Sequence, residues 1–125
     1  MTVNRYATQA GKKYEKDLLD YFRAHNFDTE RLRLAGAEDE GDLLLRTPVP
    51  LTLANTPDRF VLEAKREKGF NLASWVKEAR VEADNYAEHR GLMTPPGFLV
   101  VHAARGKGIG QSYVTTTLEE WLSWL

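Results

Sequence analysis

The chain contains no cysteine, which excludes a disulfide framework and a thiolate zinc site. That absence suits a reducing cytoplasm, in a prokaryotic or phage-infected host cell. No apolar run approaches the ~20 residues that span a bilayer. Met1 to Lys13 lacks the apolar region of a signal peptide. No membrane partner is therefore expected. Strong net charge is missing too: 17 Lys and Arg against 18 Asp and Glu leave −1. Taken alone, that balance argues against nucleic acid as the partner. Internal repeats, linkers and low-complexity segments are also absent. What remains is 125 residues, 42% of them hydrophobic, which fits one globular domain over 1–125.

The charges are unevenly spread. Arg5, Lys12 and Lys13 form a basic cluster with no acid among the first 14 residues. Arg31 and Arg33 alternate, Arg66 and Lys68 follow Lys65, and Arg105 and Lys107 sit in a glycine-rich loop. Acids gather at Glu38, Asp39, Glu40 and Asp42, and again at Glu119 and Glu120. Segregated charge gives a near-neutral protein a basic surface. Ordinary surface charge has the same composition.

Periodicity predicts a helix from about 8 to 25. On a wheel of about 100° per residue, Tyr14, Leu18, Leu19, Tyr21 and Phe22 share one apolar sector. Glu15 lies inside that sector, either turned inward toward a partner or bent out to solvent. Gly11, one turn earlier, would admit a close neighbour. A strand is expected over Arg31 to Leu34, with Leu32 and Leu34 on one face. A second is expected over Asp42 to Arg46, with Leu43 and Leu45 opposite Asp42 and Leu44. Asp42 follows Gly41 at that strand's entrance. Three prolines in Thr47 to Asp58 predict a loop, with Leu51-Thr52-Leu53 as a short edge piece.

Arg59-Phe60-Val61-Leu62-Glu63-Ala64-Lys65-Arg66 reads as a third strand. Alternation puts Glu63 and Lys65 on one face, and Phe60, Leu62 and Ala64 on the other, toward a core. An ammonium beside a carboxylate can order a metal ion and a water. A same-face ion pair on an exposed strand has identical spacing and contributes ~0–1 kcal/mol. A strand–loop–strand order predicts an antiparallel pair that brings Asp42 near Glu63.

Asn71 is a plausible cap for a helix over 72 to 89. Leu72, Trp75, Val76, Ala79, Ala83, Tyr86 and Ala87 form its core stripe. Glu78 and Glu82 flank that stripe and are expected to be solvated. Phe98 to His102 reads as a strand buried on both faces. Ala103 to Gln111 is a glycine-rich basic loop that either touches phosphate or simply turns the chain. Ser112 to Thr116 reads as a strand. Thr117 caps a last helix, whose Leu118, Trp121, Leu122 and Leu125 pack on the sheet or on a second subunit.

The order of these features resembles the PD-(D/E)XK nuclease superfamily, and most of all its archaeal and phage-type Holliday junction resolvases. The residues that carry the resemblance are Gly11-Lys12-Lys13-Tyr14-Glu15 behind Arg5, Gly36 to Asp42 behind Arg31 and Arg33, and Glu63-Ala64-Lys65. The proline of the motif's name is absent. So are a serine often found near the glycine turn and a glutamine often found in the later helix. Glu78 or Glu82 stands near that glutamine's position.

The resemblance implies an α/β, restriction-endonuclease-like fold: a mixed β-sheet flanked by α-helices in a single domain. It implies a Mg²⁺-dependent endonuclease, with Mn²⁺ as substitute, acting in DNA recombination or repair. Asp42, Glu63, the Ala64 carbonyl and Glu15 would hold the metal, and Lys65 would assist the nucleophile. Arg5, Lys12, Lys13, Arg31, Arg33, Arg66, Lys68 and Lys107 would grip a four-way junction. Two opposed nicks would require a homodimer. Flaps, single strands or duplex are the alternative substrates, and a non-catalytic DNA-binding protein is the other reading.

Overall fold

In the computed structural model, residues 5–32, 39–48 and 55–125 are described, with residues 5–8 as backbone alone. The elements are α1 (Arg5–Ala24), β1 (Asp28–Arg31), β2 (Leu43–Arg46), β3 (Arg59–Lys65), α2 (Leu72–Arg90), β4 (Gly97–His102), β5 (Tyr113–Thr115) and α3 (Leu118–Ser123). A 3₁₀ turn at Ile109–Gln111 precedes β5.

Five strands form one sheet in the order β1-β2-β3-β4-β5. β1, β2 and β3 are antiparallel neighbours, β3 and β4 are parallel, and β4 and β5 are antiparallel. The parallel step needs a crossover, and α2 supplies it. The chain is thus a single small α/β domain with a mixed sheet flanked by helices. No helix among the described residues is long and apolar enough to cross a membrane.

Alternation along β3 divides the core in two. Phe60 and Leu62 meet Tyr14, Leu18 and Leu19 of α1, with Leu43 and Val101 beside them. Val61 faces the other way, with Leu44, Phe98 and Val100, against Trp75, Ala79, Ala83 and Tyr86 of α2. The expected core under Phe60 and Leu62 is present, but the Glu63 face is covered as well. Burying both faces is what a strand between two helix layers requires.

The α2 stripe packs as the 3.6-residue period predicts. Asn71 Oδ1 accepts the Ser74 N–H at the helix start, and Gly91 closes it in the left-handed conformation. On the solvent face of α1, Lys13–Asp17 and Lys16–Asp20 pair at 2.8 Å. Such exposed pairs are screened by water and contribute little to stability.

Several expectations are corrected. α1 begins at Arg5, ahead of residue 8. The first described strand is Asp28–Arg31; of the expected Arg31 to Leu34 it includes Arg31 but not Leu32. Its sequence, Asp-Thr-Glu-Arg, has no apolar alternation. Thr29 is buried, and Arg46 of β2 pairs with both Asp28 and Glu30. Arg33, Leu34 and Gly36 lie outside the described residues, as does Leu51-Thr52-Leu53. Among the described residues, nothing lies within 4 Å of a Cβ added at Gly11, so no neighbouring backbone there uses the space it leaves. Tyr21 is 37% exposed, its ring tilted against His25 at 4.3 Å. The glycine-rich loop is tied down: a Cβ on Gly110 would meet the Tyr21 hydroxyl at 2.7 Å, and Tyr14 donates to Ser112 Oγ at 2.7 Å. Thr117 caps α3 as expected, by accepting the Glu120 N–H. Of the terminal aromatics, Trp124 packs edge-on to Phe60 at 5.0 Å. Leu118, Trp121, Leu122 and Leu125 stay exposed instead of packing on the sheet.

Candidate active site

The site is built at one end of the sheet, where β2 begins and β3 ends. Gly41 makes the approach possible. Its φ of 106° is a conformation that side chains resist. A Cβ there would fall 2.7 Å from Val61 Cγ1. The residues before it are fastened to α2. Glu40 Oε2 lies 2.6 Å from both His89 Nδ1 and Arg90 Nη1, and Arg90 stacks on the Tyr86 ring at 3.7 Å. Asn85 donates to the Asp39 carbonyl at 2.9 Å. Burial pushes the Glu40 carboxyl upward, but the Arg90 and His89 hydrogen bonds outweigh it and its pKa is lowered.

Asp42 is therefore presented to β3 at a fixed height. Its N–H donates to the Leu62 carbonyl at 3.0 Å, and its Oδ2 accepts the Ala64 N–H at 2.7 Å. The expected approach of Asp42 to the Glu63 strand is thus a pair of hydrogen bonds. What Ala64 contributes here is its amide, with its side chain turned toward the α1 layer.

Glu63 points beneath α2 and is only 5% exposed. Glu82 of α2 meets it there at 3% exposed, which corrects the expectation that Glu82 is solvated. Glu78 completes the group: one oxygen from each of Glu63, Glu78 and Glu82 lies within 4.8 Å of the others. Lys65 Nζ sits 2.9 Å from Glu78, 3.8 Å from Glu63 and 3.9 Å from Glu67.

Glu63 and Glu82 are both crowded by carboxylates and buried. Burial raises the Glu63 pKa far above the carboxylate range, with Glu82 and Asp42 adding to the rise. Burial pushes Glu82 to about 7, helped by Glu78, Asp39 and Asp42 and opposed by its bond with Glu63. Glu15 is also raised to about 7, first by burial and then by Asp42, with Arg31 and Lys12 opposing. Glu15, on α1, is partly buried and feels the Asp42 charge. Burial works against the Lys65 charge, yet Glu78, Glu63 and Glu67 more than compensate, so the ammonium persists.

Comparison with family models, curated proteins and solved structures finds no match to this chain. The chemistry of the site must be read from its donors.

Glu63 Oε2 and Glu82 Oε1 are buried with no donor in hydrogen-bond reach, so the bond between the two carboxyls requires a proton on one of them. Unpaired buried carboxylate oxygens are costly unless a proton or a cation serves them. Mg²⁺ binds oxygens at about 2.0–2.1 Å, so oxygens on opposite sides of it stand about 4.2 Å apart. The three oxygens lie within 4.8 Å of one another, a looser group than a closed Mg²⁺ site. The donor set, all oxygen and anionic, fits a hard divalent cation.

The basic residues are less gathered than the acids. Lys12, Lys13, Arg31, Arg66, Lys68 and Lys107 are all exposed. Lys12 and Arg31 lower the Glu15 pKa by their charge, and Arg66 does the same to Tyr14. Lys13 is engaged by Asp17. The side chain of Arg5 and the whole of Arg33 lie outside what is described. Sequence reasoning missed Glu82 as a member of the site, although the signal was present: it stands seven residues after Trp75, about 20° away on the wheel.

Proposed function

We propose that the chain is a metal-dependent, structure-selective DNA endonuclease with a restriction-endonuclease-like core, and that its substrate is a four-way junction. One observation carries this reading. Asp42, Glu63 and Lys65 come from two strands joined through the Asp42–Ala64 hydrogen bond, with a buried, unpartnered carboxylate oxygen among them.

Glu63 and Glu82, two of the three close carboxylates, would hold the cation together with Asp42, which borders Glu63, and Glu15 would reach it from the α1 side. When bound, the ion supplies Lewis acidity toward the scissile phosphate and lowers the pKa of a water. Lys65 is held charged by Glu78 and faces the same space, where it offsets negative charge that develops on the phosphate oxygens. The Asp42–Ala64 bond fixes the carboxylate against the strand, so ligand orientation is set before substrate arrives. Lys12, Arg31 and Arg66 grip the backbone without reading sequence.

A junction needs two opposed nicks, so the reading includes a twofold dimer. The exposed Leu118, Trp121, Leu122 and Leu125, with Val114 on the neighbouring edge strand, are the surface assigned to it.

The test is a substrate panel with Mg²⁺: a four-way junction, a flap, single-stranded DNA and unbroken duplex. Paired, symmetric nicks confined to the junction are expected. Equal cutting of linear duplex would remove the junction assignment. Cutting of none of them would remove the nuclease.

A further inference from the structure

Beyond Lys65, aromatic rings gather at the end of the sheet. Phe70 is 71% exposed and Tyr113 is 59% exposed. The His102 ring lies between them, 5.9 Å from Phe70 and 5.5 Å from Tyr113. Trp75, buried, forms the floor, 5.4 Å from Phe70 and 5.9 Å from His102. A contact of 2.9 Å between His102 Nε2 and Thr115 Oγ1 fixes the central ring. His102 is the β4 partner of Lys65 in the parallel register, so both side chains leave the same face. The aromatic group therefore starts one strand away from the lysine, about 4.8 Å. Arg66 and Lys68 leave the same turn as Phe70, and both are exposed.

Helix capping accounts for part of this. Phe70 precedes the Asn71 cap and packs on Trp75 four residues into the helix, the arrangement of a hydrophobic staple. A staple needs an apolar contact, which leucine would provide. It does not require a planar ring with most of its surface in water. Nor does it involve Tyr113, which comes from a different strand.

We propose that Phe70 and Tyr113 form a stacking shelf for an unpaired nucleobase beside the carboxylate group. The proposal rests on the nuclease reading and names how that site selects its substrate. Bases inside continuous duplex are already stacked on both sides and cannot reach the shelf. A base released at a branch point or in a single strand can lie on it. Aromatic rings accept any base by its π-face, so the selection is for structure and not for sequence. Arg66 and Lys68 would hold the adjoining phosphates.

The test is equilibrium binding with Ca²⁺ in place of Mg²⁺. One 2-aminopurine is placed at a junction branch point, in a single-stranded overhang, or within unbroken duplex. Wild-type protein should quench the probe at unpaired positions and not in duplex, with the branch and overhang arms showing which source is preferred. The Phe70→Leu/Tyr113→Leu double variant should bind the unpaired substrates about tenfold or more weakly, with a smaller loss on duplex. Leucine preserves the staple contact, and Phe70→Trp should retain quenching. Persistent quenching in the double variant, or equal losses on all substrates, would overturn the shelf. Mg²⁺-dependent cleavage by wild type reads the nuclease separately. Cleavage with an unaltered double variant overturns the shelf alone, whereas quenching without cleavage upholds the shelf and overturns the nuclease.

Discussion

Replacing Glu82 with glutamine tests whether the buried acidic group stores electrostatic repulsion. Burial and the neighbouring Glu78, Asp39 and Asp42 raise the Glu82 pKa from 4.5 to about 7. Between those values the folded protein binds a proton that the unfolded chain has released. Stability must therefore fall as pH rises through this window. Each pH unit costs about 1.4 kcal/mol per proton, so Glu82 accounts for up to about 3 kcal/mol by pH 7. Glutamine matches the protonated acid in shape and cannot ionise. In EDTA, Glu82→Gln should equal wild type near pH 4.5 and exceed it by up to about 3 kcal/mol at pH 8. For a domain of this size that is roughly 10 °C in Tm. Glu15 and Glu63 also titrate abnormally and both remain in the variant; because Glu63 and Glu82 act on each other, the difference between the two proteins reports Glu82 together with the part of the Glu63 shift that Glu82 supplies. Urea unfolding followed by tryptophan fluorescence at pH 4.5, 6, 7 and 8 provides the measurement. Mg²⁺ should stabilise wild type at pH 8 and stabilise the variant much less. Parallel stability profiles for the two proteins would refute the reasoning, because a solvated Glu82 produces no such divergence.

Gly41→Ala forces a side chain into a φ of 106° and against Val61 Cγ1. The backbone conformation alone should cost roughly 1–3 kcal/mol. Calorimetry should show lower stability, and any cleavage should fall further than stability does, since Asp42 follows directly; a variant as stable as wild type would contradict the close approach. Trp121→Lys with Leu118→Lys should convert a dimer to a monomer in analytical ultracentrifugation while the circular dichroism spectrum is kept. A wild-type protein that stays monomeric at high concentration would remove the role given to the exposed α3 face.

The layered fold was legible because apolar period and layer agree. Trp75, Ala79, Ala83 and Tyr86 repeat at helical spacing and pack together, and Leu43 and Leu44 alternate into opposite cores. The placement of Asp42 against the Glu63 strand followed from strand order and a glycine at the turn. β1 escaped because its four residues are stabilised by cross-strand charges from Arg46, which have no apolar signature. Glu82 escaped for a different reason. Its position on the stripe was readable, but an acid on an apolar stripe is ordinarily assigned to solvent. Only the meeting of α2 with β3 reveals that Glu63 and Glu82 share one buried space. The shelf at Phe70 and Tyr113 joins residues more than 40 positions apart, and no local pattern connects them.

The most direct measurement is Mg²⁺-dependent cleavage of a labelled four-way junction by wild type, Asp42→Asn and Glu63→Gln, with binding measured in parallel. Wild type should make paired nicks, neither variant should cleave, and all three should bind the junction. Cleavage at the wild-type rate in either variant, or no cleavage by wild type with any divalent cation, would contradict the nuclease reading.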